Sequence, residues 1–272
     1  MKLVIVGTIG LDDIETPFGK VEGVLGGSGS YSAVAASYFV RPGLISVVGD
    51  DFPKSALEYF KKIDKTGILK TGKTFRWGGF YEFDMNEAKT LNTQLNSLAL
   101  FKPEVPEKYK KAEFILLANI DPVIQLEIIS QAEGKPFIVA DTMNYWISSK
   151  KDQLISVIKK SNIIVANEGE ARQLFGEPNL IKAGKKLLEL GPEYAVIKKG
   201  EHGALLFSAY GLFSAPGYPL EGLKDPTGCG DSFAGGLIGY LASKHASKSA
   251  GKPVSFEEIR KAVIYGSAVA SC

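Results

Sequence analysis

The sequence predicts an α/β protein: a mostly parallel central sheet with helices on both faces, plus a small β lid. Three observations carry this reading. Short apolar runs rich in β-branched residues recur along the chain and alternate with helical segments, a pattern that builds parallel sheets covered on both faces. Polar residues gather just past several of those runs: Asp141, Asn167, Glu170, Lys199 and the Gly228–Asp231 turn. In open α/β sheets ligands bind beyond those C-terminal strand ends. Between Thr71 and about Leu100 the alternation breaks. Phe75, Trp77, Phe80, Tyr81 and Phe83 mix there with glycines and polar residues, as exposed twisted strands outside the main sheet do. The chain reads as one domain over residues 1–272, with lid segments at about 10–25 and 71–100.

The elements follow in order. Leu3 to Val6 is a buried strand and Val21 to Leu25 an extended run. Gly26 and Gly27 lead through Ser28-Gly29-Ser30 into a helix over Tyr31 to Phe39, whose small residues suit tight packing on a sheet. Leu44 to Val48 is a strand, and Pro53 to Ile63 reads as an amphipathic helix. After Pro103 and Pro106 come strand Phe114 to Leu117, a helix over Val123 to Gln131 begun at Asp121-Pro122, and strand Phe137 to Ala140. A helix over Leu154 to Lys160, strand Ile163 to Ala166, a helix over Leu180 to Leu190 and strand Ala195 to Lys198 continue the pattern. Ala204 to Phe207 and Leu212 to Ser214 read as an antiparallel pair. Ser232 to Leu241 is a helix, and a last one starts near Glu257 after Pro253, with Ser255 and Glu258 as a capping box.

Composition narrows the function. Net charge is +2 with both signs interspersed, so no basic stripe suits nucleic acid. Two cysteines, Cys229 and Cys272, exclude a disulfide framework and a multi-cysteine zinc site. Two histidines, His202 and His245, argue against His-centred triads. No apolar run reaches membrane-spanning length, and the first residues lack a signal-peptide layout, so a cytoplasmic protein is expected. Gly27-Ser28-Gly29 lacks the third glycine of a dinucleotide fingerprint.

The densest chemistry lies in Asp225-Pro226-Thr227-Gly228-Cys229-Gly230-Asp231, just before a helix. A glycine turn feeding a helix aims backbone N–H groups at one spot, and the helix N-terminus adds positive potential. That suits a phosphate. Asp231 at the same spot reads in two ways: a base for a neutral hydroxyl beside the bound phosphoryl group, or an ordinary N-cap.

These residues resemble the ribokinase-like (PfkB-type) carbohydrate and nucleoside kinases over essentially the whole chain. Asp225 to Asp231 is similar to that family's D-T-x-G-A-G-D signature, and Gly26-Gly27 before Ala33 to Ala36 matches its double glycine. Asn167 to Glu170 looks like its N-x-x-E, and Lys199-Gly200-Glu201-His202-Gly203 like its K-G-x-x-G. The resemblance implies an ATP-dependent phosphotransferase acting on a hydroxyl of a small sugar, with a nucleoside or a purely ligand-binding role as alternatives. It implies Asp231 as base and the amides of Gly228, Cys229 and Gly230 as anion hole. It puts Asp12, Gly26 and Gly27 on the acceptor, and Asn167 and Glu170 at Mg²⁺. Lys199, Gly200, Gly203, Thr227 and Ser267 would border ATP. A monovalent cation near Asp225 and Thr227 and a homodimer through the lid are further expectations of the resemblance.

The departures are specific. Tyr31 stands where many sugar kinases of the family carry a sugar-contacting Asn. Cys229 replaces the signature's Ala, and Arg76-Trp77-Gly78-Gly79 does not follow the ribokinase lid. The family pattern also implies a further helix and strand after the helix that carries Ser267.

Overall fold

The computed structural model describes residues 1–245 and 254–271; the expected break at Pro253 and the terminal Cys272 lie outside them. The strands are β1 (Leu3–Val6), β2 (Gly10–Thr16), β3 (Gly19–Gly26), β4 (Gly43–Val48), β5 (Asp64–Lys70), β6 (Phe75–Tyr81), β7 (Ala88–Gln94), β8 (Phe114–Leu117), β9 (Phe137–Ala140), β10 (Ile163–Asn167), β11 (Tyr194–Lys198), β12 (Ala204–Ser208) and β13 (Gly211–Ala215). The helices are α1 (Ser28–Ala36), α2 (Glu107–Lys110), α3 (Pro122–Gln131), α4 (Asn144–Ser149), α5 (Lys151–Ile158), α6 (Glu168–Phe175), α7 (Leu180–Glu189), α8 (Cys229–Lys244) and α9 (Phe256–Ala270).

Nine strands form one sheet in the order β13-β12-β11-β10-β9-β8-β1-β4-β5. Neighbours from β11 to β5 pair in parallel, and β12 and β13 close one edge as an antiparallel hairpin. Strand β1 shows why both faces are covered. Its side chains alternate, so Leu3 and Ile5 enter one core with α1, α8 and α9, while Val4 and Val6 enter the other with α3, α5, α6 and α7. Each such fully buried aliphatic contributes about 1.5–3 kcal/mol over leaving it exposed. The order reverses around β1, which has β8 on one side and β4 on the other, so a crevice opens at its C-terminal end.

A second sheet, ordered β3-β2-β6-β7, stands beside the first. Its own small core holds Ile14, Tyr81 and Met85, while most of β3 and β7 is exposed.

Two local expectations need correction, and one strand lies where no element is expected. Over Pro53 to Ile63 the chain forms a 3₁₀ segment, Lys54–Phe60, in place of an α-helix. Ala56, Phe60 and Ile63 are still the residues buried there, so the apolar face is as expected and only the winding differs. Asp64–Lys70 is a strand that polar residues hide from pattern reading, because it lies at a sheet edge. Helix α8 starts at Cys229 rather than Ser232.

The capping box of Ser255 and Glu258 forms, with each side chain reaching the other's backbone N–H. Ser255→Ala is expected to cost about 1 kcal/mol, read as a lower unfolding midpoint with unchanged far-UV dichroism.

Candidate active site

Helices α1 and α8 pack against each other, and their N-termini meet at the C-terminal edge of the sheet. Ser32 Oγ donates to the Asp231 carbonyl at 3.0 Å and pins the two together. The Tyr31 ring lies against Gly228, filling the place where any Cβ would go. Two carboxylates mark the two ends of the candidate site, Asp12 on β2 and Asp231 on α8.

At the first end, Asp12 on β2 is buried at 4% exposure. Its carboxylate accepts from the Gly27 N–H and lies so close to Gly26 that a side chain there would overlap it. Among the described residues Asp12 Oδ1 has no hydrogen-bond partner. A buried carboxylate oxygen without a donor is costly, and an acceptor hydroxyl would supply one. Burial pushes the Asp12 carboxyl up to about 7, against the Gly27 bond and with help from Asp13 and Asp225. Gly26→Ala displaces this carboxylate. The expected result is a rise in acceptor KM of roughly 10–100-fold with the fold intact, as loss of a hydrogen bond to a charged group predicts. Steady-state kinetics beside a dichroism spectrum checks it.

At the other end Asp231 occupies the third position of α8, and the N-cap is Gly228, which makes no side-chain cap. The N-cap reading of Asp231 is therefore wrong: its carboxylate is left for other work. It is partly exposed. Burial pushes its carboxyl up to about 7; Asp141 repulsion adds, Lys198 opposes, and Asp12 adds again. The turn amides need one correction. Cys229 N–H already donates to the Pro226 carbonyl at 3.1 Å, so it is engaged within the turn. The Gly228 and Gly230 N–H groups have no partner among the described residues. Burial, then Asp225 and Asp231, raises the Cys229 thiol and keeps it neutral, which suits a packing role.

Asn167 and Glu170 form a complete capping box at the start of α6. Glu170 accepts from Asn167 N at 2.7 Å and from its Nδ2 at 2.8 Å, while Asn167 Oδ1 accepts from Glu170 N at 2.8 Å. Burial pushes the Glu170 carboxyl up to about 8; Lys198 opposes and Asp141 adds. Each Glu170 oxygen keeps a second lone pair. Among the described residues no group of three or more His, Cys, Asp or Glu is arranged to hold a metal directly. Hard oxygen donors that are few in number fit Mg²⁺, which keeps most of its waters.

Two functional-looking residues escape the sequence motifs. Lys198 ends β11, and its Nζ lies 3.2 and 3.3 Å from the two oxygens of Asp141, just past β9. Asp141 is 2% exposed. The motif-based choice, Lys199, instead starts the β11–β12 connection, where its N–H donates to Gly203 O at 2.7 Å. Gly200 and Gly203 flank the same short 3₁₀ turn, and Ser267 lies on α9. No hydrogen bond or ion pair among the described residues ties these four to Asp231. Thr227 belongs to the central group: its Oγ1 donates to Tyr81 OH at 3.2 Å, so β6 of the small sheet touches the glycine turn directly. Burial raises both Tyr31 and Tyr81, the latter to about 12, so both phenols stay neutral.

The site thus sets a partly exposed carboxylate beside two unpaired amides, with the small sheet touching the same turn. The chain belongs to the pfkB family carbohydrate kinases, whose family model matches residues 12–272. It is 28% identical over 247 residues to a cytidine kinase of Thermococcus kodakarensis, covering 88% of each chain. Its fold matches the crystal structure of the Methanocaldococcus jannaschii nucleoside kinase with a TM-score of 0.75 at 20% identity, over 100% of this chain and 91% of that one. A putative ribokinase II from E. coli, solved in complex with ATP and Mg²⁺, gives a TM-score of 0.76 at 18% identity over 100% and 93%. The protein is thus an ATP-dependent kinase of a small metabolite. No helix among the described residues is long and apolar enough to cross a membrane.

Proposed function

We propose that the protein transfers the γ-phosphoryl group of ATP to a hydroxyl of a nucleoside, with Asp231 as base. The observation that carries this is the placement of Asp231: it caps nothing, is partly exposed, and lies beside the unpaired Gly228 and Gly230 amides. Asp12 accepts from the hydroxyls of the acceptor's ribose and holds it against Tyr31. Asp231 takes the proton of the attacking hydroxyl. That oxygen bonds to the γ-phosphorus as the bond to the bridging oxygen breaks, leaving ADP. Phosphoryl transfer needs mainly positioning and charge stabilisation, and the two amides stabilise the charge on the transferring group. Asn167 and Glu170 would hold Mg²⁺, which neutralises nucleotide phosphate charge. Lys199, Gly200, Gly203, Thr227 and Ser267 border the nucleotide in this reading.

A nucleoside is favoured over a free sugar by one ring and one similarity. The acceptor end carries the ring of Tyr31, a surface that suits a base, where the sugar-kinase pattern has an amide. The similarity to a cytidine kinase over 88% of the chain supports the same choice. The test is ADP release from ATP–Mg²⁺ with cytidine, adenosine, other nucleosides, ribose and hexoses. Turnover with nucleosides is expected. Turnover confined to free sugars would replace the nucleoside by a sugar, and none with any acceptor would overturn the reading.

A further inference from the structure

We infer that Lys198, clamped by Asp141, is a further catalytic residue: its ammonium meets the transferring phosphoryl group at the Gly228–Gly230 turn. The inference rests on the phosphotransferase reading and goes beyond the motif residues.

Strand parity places the side chain. Val196 lies in the core that contains α8, and Ile197 in the opposite one. Side chains two apart share a face, so Lys198 points toward α8. The contacts agree. Nζ is 3.5 Å from the Gly230 carbonyl and 3.0 Å from where a Gly230 Cβ would be. Lys198 is therefore at the same turn whose Gly228 and Gly230 amides are unpaired. In β10 the residue in register with it is Asn167, which puts the ammonium between the N-termini of α6 and α8.

Chemistry points the same way. An ammonium has three donors. Asp141 accepts at 3.2 and 3.3 Å, and the remaining contact, to Gly230, is long. A phosphoryl oxygen arriving at the turn offers a better acceptor, and a lysine serves phosphate as a point charge. The local charge also requires a cation. Asp141, Glu170 and Asp231 all act on Lys198, so three carboxylates share its one ammonium. A nucleotide polyanion entering beside them would face repulsion without it. Asp141 is the positioning residue: nearly buried, it holds the long flexible side chain in place.

The competing explanation is a purely structural tie between the ends of β9 and β11. Four proteins separate the two: wild type, Lys198→Gln, Lys198→Arg and the double variant Asp141→Asn/Lys198→Gln. The double variant keeps a neutral hydrogen-bonding pair and removes the Asp141 charge together with the ammonium that offsets it, so it covers the case in which the single variant fails to fold. Each is measured for acceptor-dependent kcat, for affinity toward β,γ-imido-ATP with Mg²⁺, and for acceptor affinity without nucleotide. The expected result is a loss in kcat of about 100-fold in both Gln-bearing proteins, the scale of one lost transition-state donor. Their imido-ATP affinity falls about tenfold, a difference of about 1.4 kcal/mol. Acceptor affinity stays unchanged, and the Arg variant keeps most activity. Recovery of the double variant to within about threefold of wild-type kcat would overturn the inference, since a neutral pair would then suffice. If wild type binds imido-ATP but phosphorylates no acceptor, the kinase reading fails by itself. The affinity comparison still decides on Lys198, with equal affinities counting against it.

Discussion

Asp231→Asn is expected to lower acceptor-dependent kcat by roughly 10²–10⁴-fold, the usual contribution of a positioned general base. Acceptor and nucleotide affinities should change little, because the amide keeps the volume and the helix start. The pH profile carries the second half of the test. Asp231 works as a base only when ionised, and burial with Asp141 repulsion pushes its carboxyl up to about 7. Wild-type kcat should therefore fall about tenfold per pH unit below that value, and the variant should lose this limb. Stability should move the opposite way. The folded carboxyl binds its proton more tightly than an ordinary carboxylate at 3.8, so wild-type stability falls as pH rises from about 4 to about 7. Asparagine has no charge to bury. Its unfolding midpoint should exceed wild type above pH 7, and the gap should close toward pH 4. A variant that keeps full turnover, or loses turnover while keeping the acid limb, would remove Asp231 from the role of base.

The parts of this site that could be read from the chain are those fixed by local backbone chemistry. Gly228 to Asp231 announces a tight turn before a helix whatever the rest of the fold does, and Asn167 with Glu170 announces a helix start. The parallel sheet follows from the apolar runs because strands buried on both faces leave few polar residues between turns. Other features depend on contacts between distant segments. Lys198 and Lys199 differ only in strand parity, and parity means nothing until α8 is known to cover the Val196 face. Asp141 looks like any polar residue after a strand until Lys198 arrives from 57 positions away. Tyr81 lies in an aromatic stretch that reads as packing, and only the folded chain brings its hydroxyl to Thr227. The edge strand Asp64–Lys70 is hidden in the sequence for a related reason: an edge buries little, so its sequence need not alternate.

Gly228→Ala is expected to lower kcat by about 10³-fold, near the upper range for loss of one oxyanion-type donor. Two separate costs meet at this residue. Its φ of +79° lies in the left-handed region, which costs a residue with a Cβ about 1–2 kcal/mol. The new methyl group would also strike the Tyr31 ring. The turn can relieve this only by rotating its peptides or by moving Tyr31. Rotation takes the Gly228 and Gly230 N–H groups off their common target, so the transferring phosphoryl group loses the donors that stabilise it. Movement of Tyr31 instead deforms the acceptor wall near Asp12. The two routes are separable. Peptide rotation lowers kcat and leaves acceptor affinity intact, whereas displacement of Tyr31 raises acceptor KM. The double variant Gly228→Ala/Tyr31→Ala clears the collision but not the backbone strain. If the anion turn is what matters, removing the ring should leave kcat low. Full recovery in the double variant would mean that the Gly228 amide carries little of the catalysis and that Gly228 serves mainly to seat Tyr31.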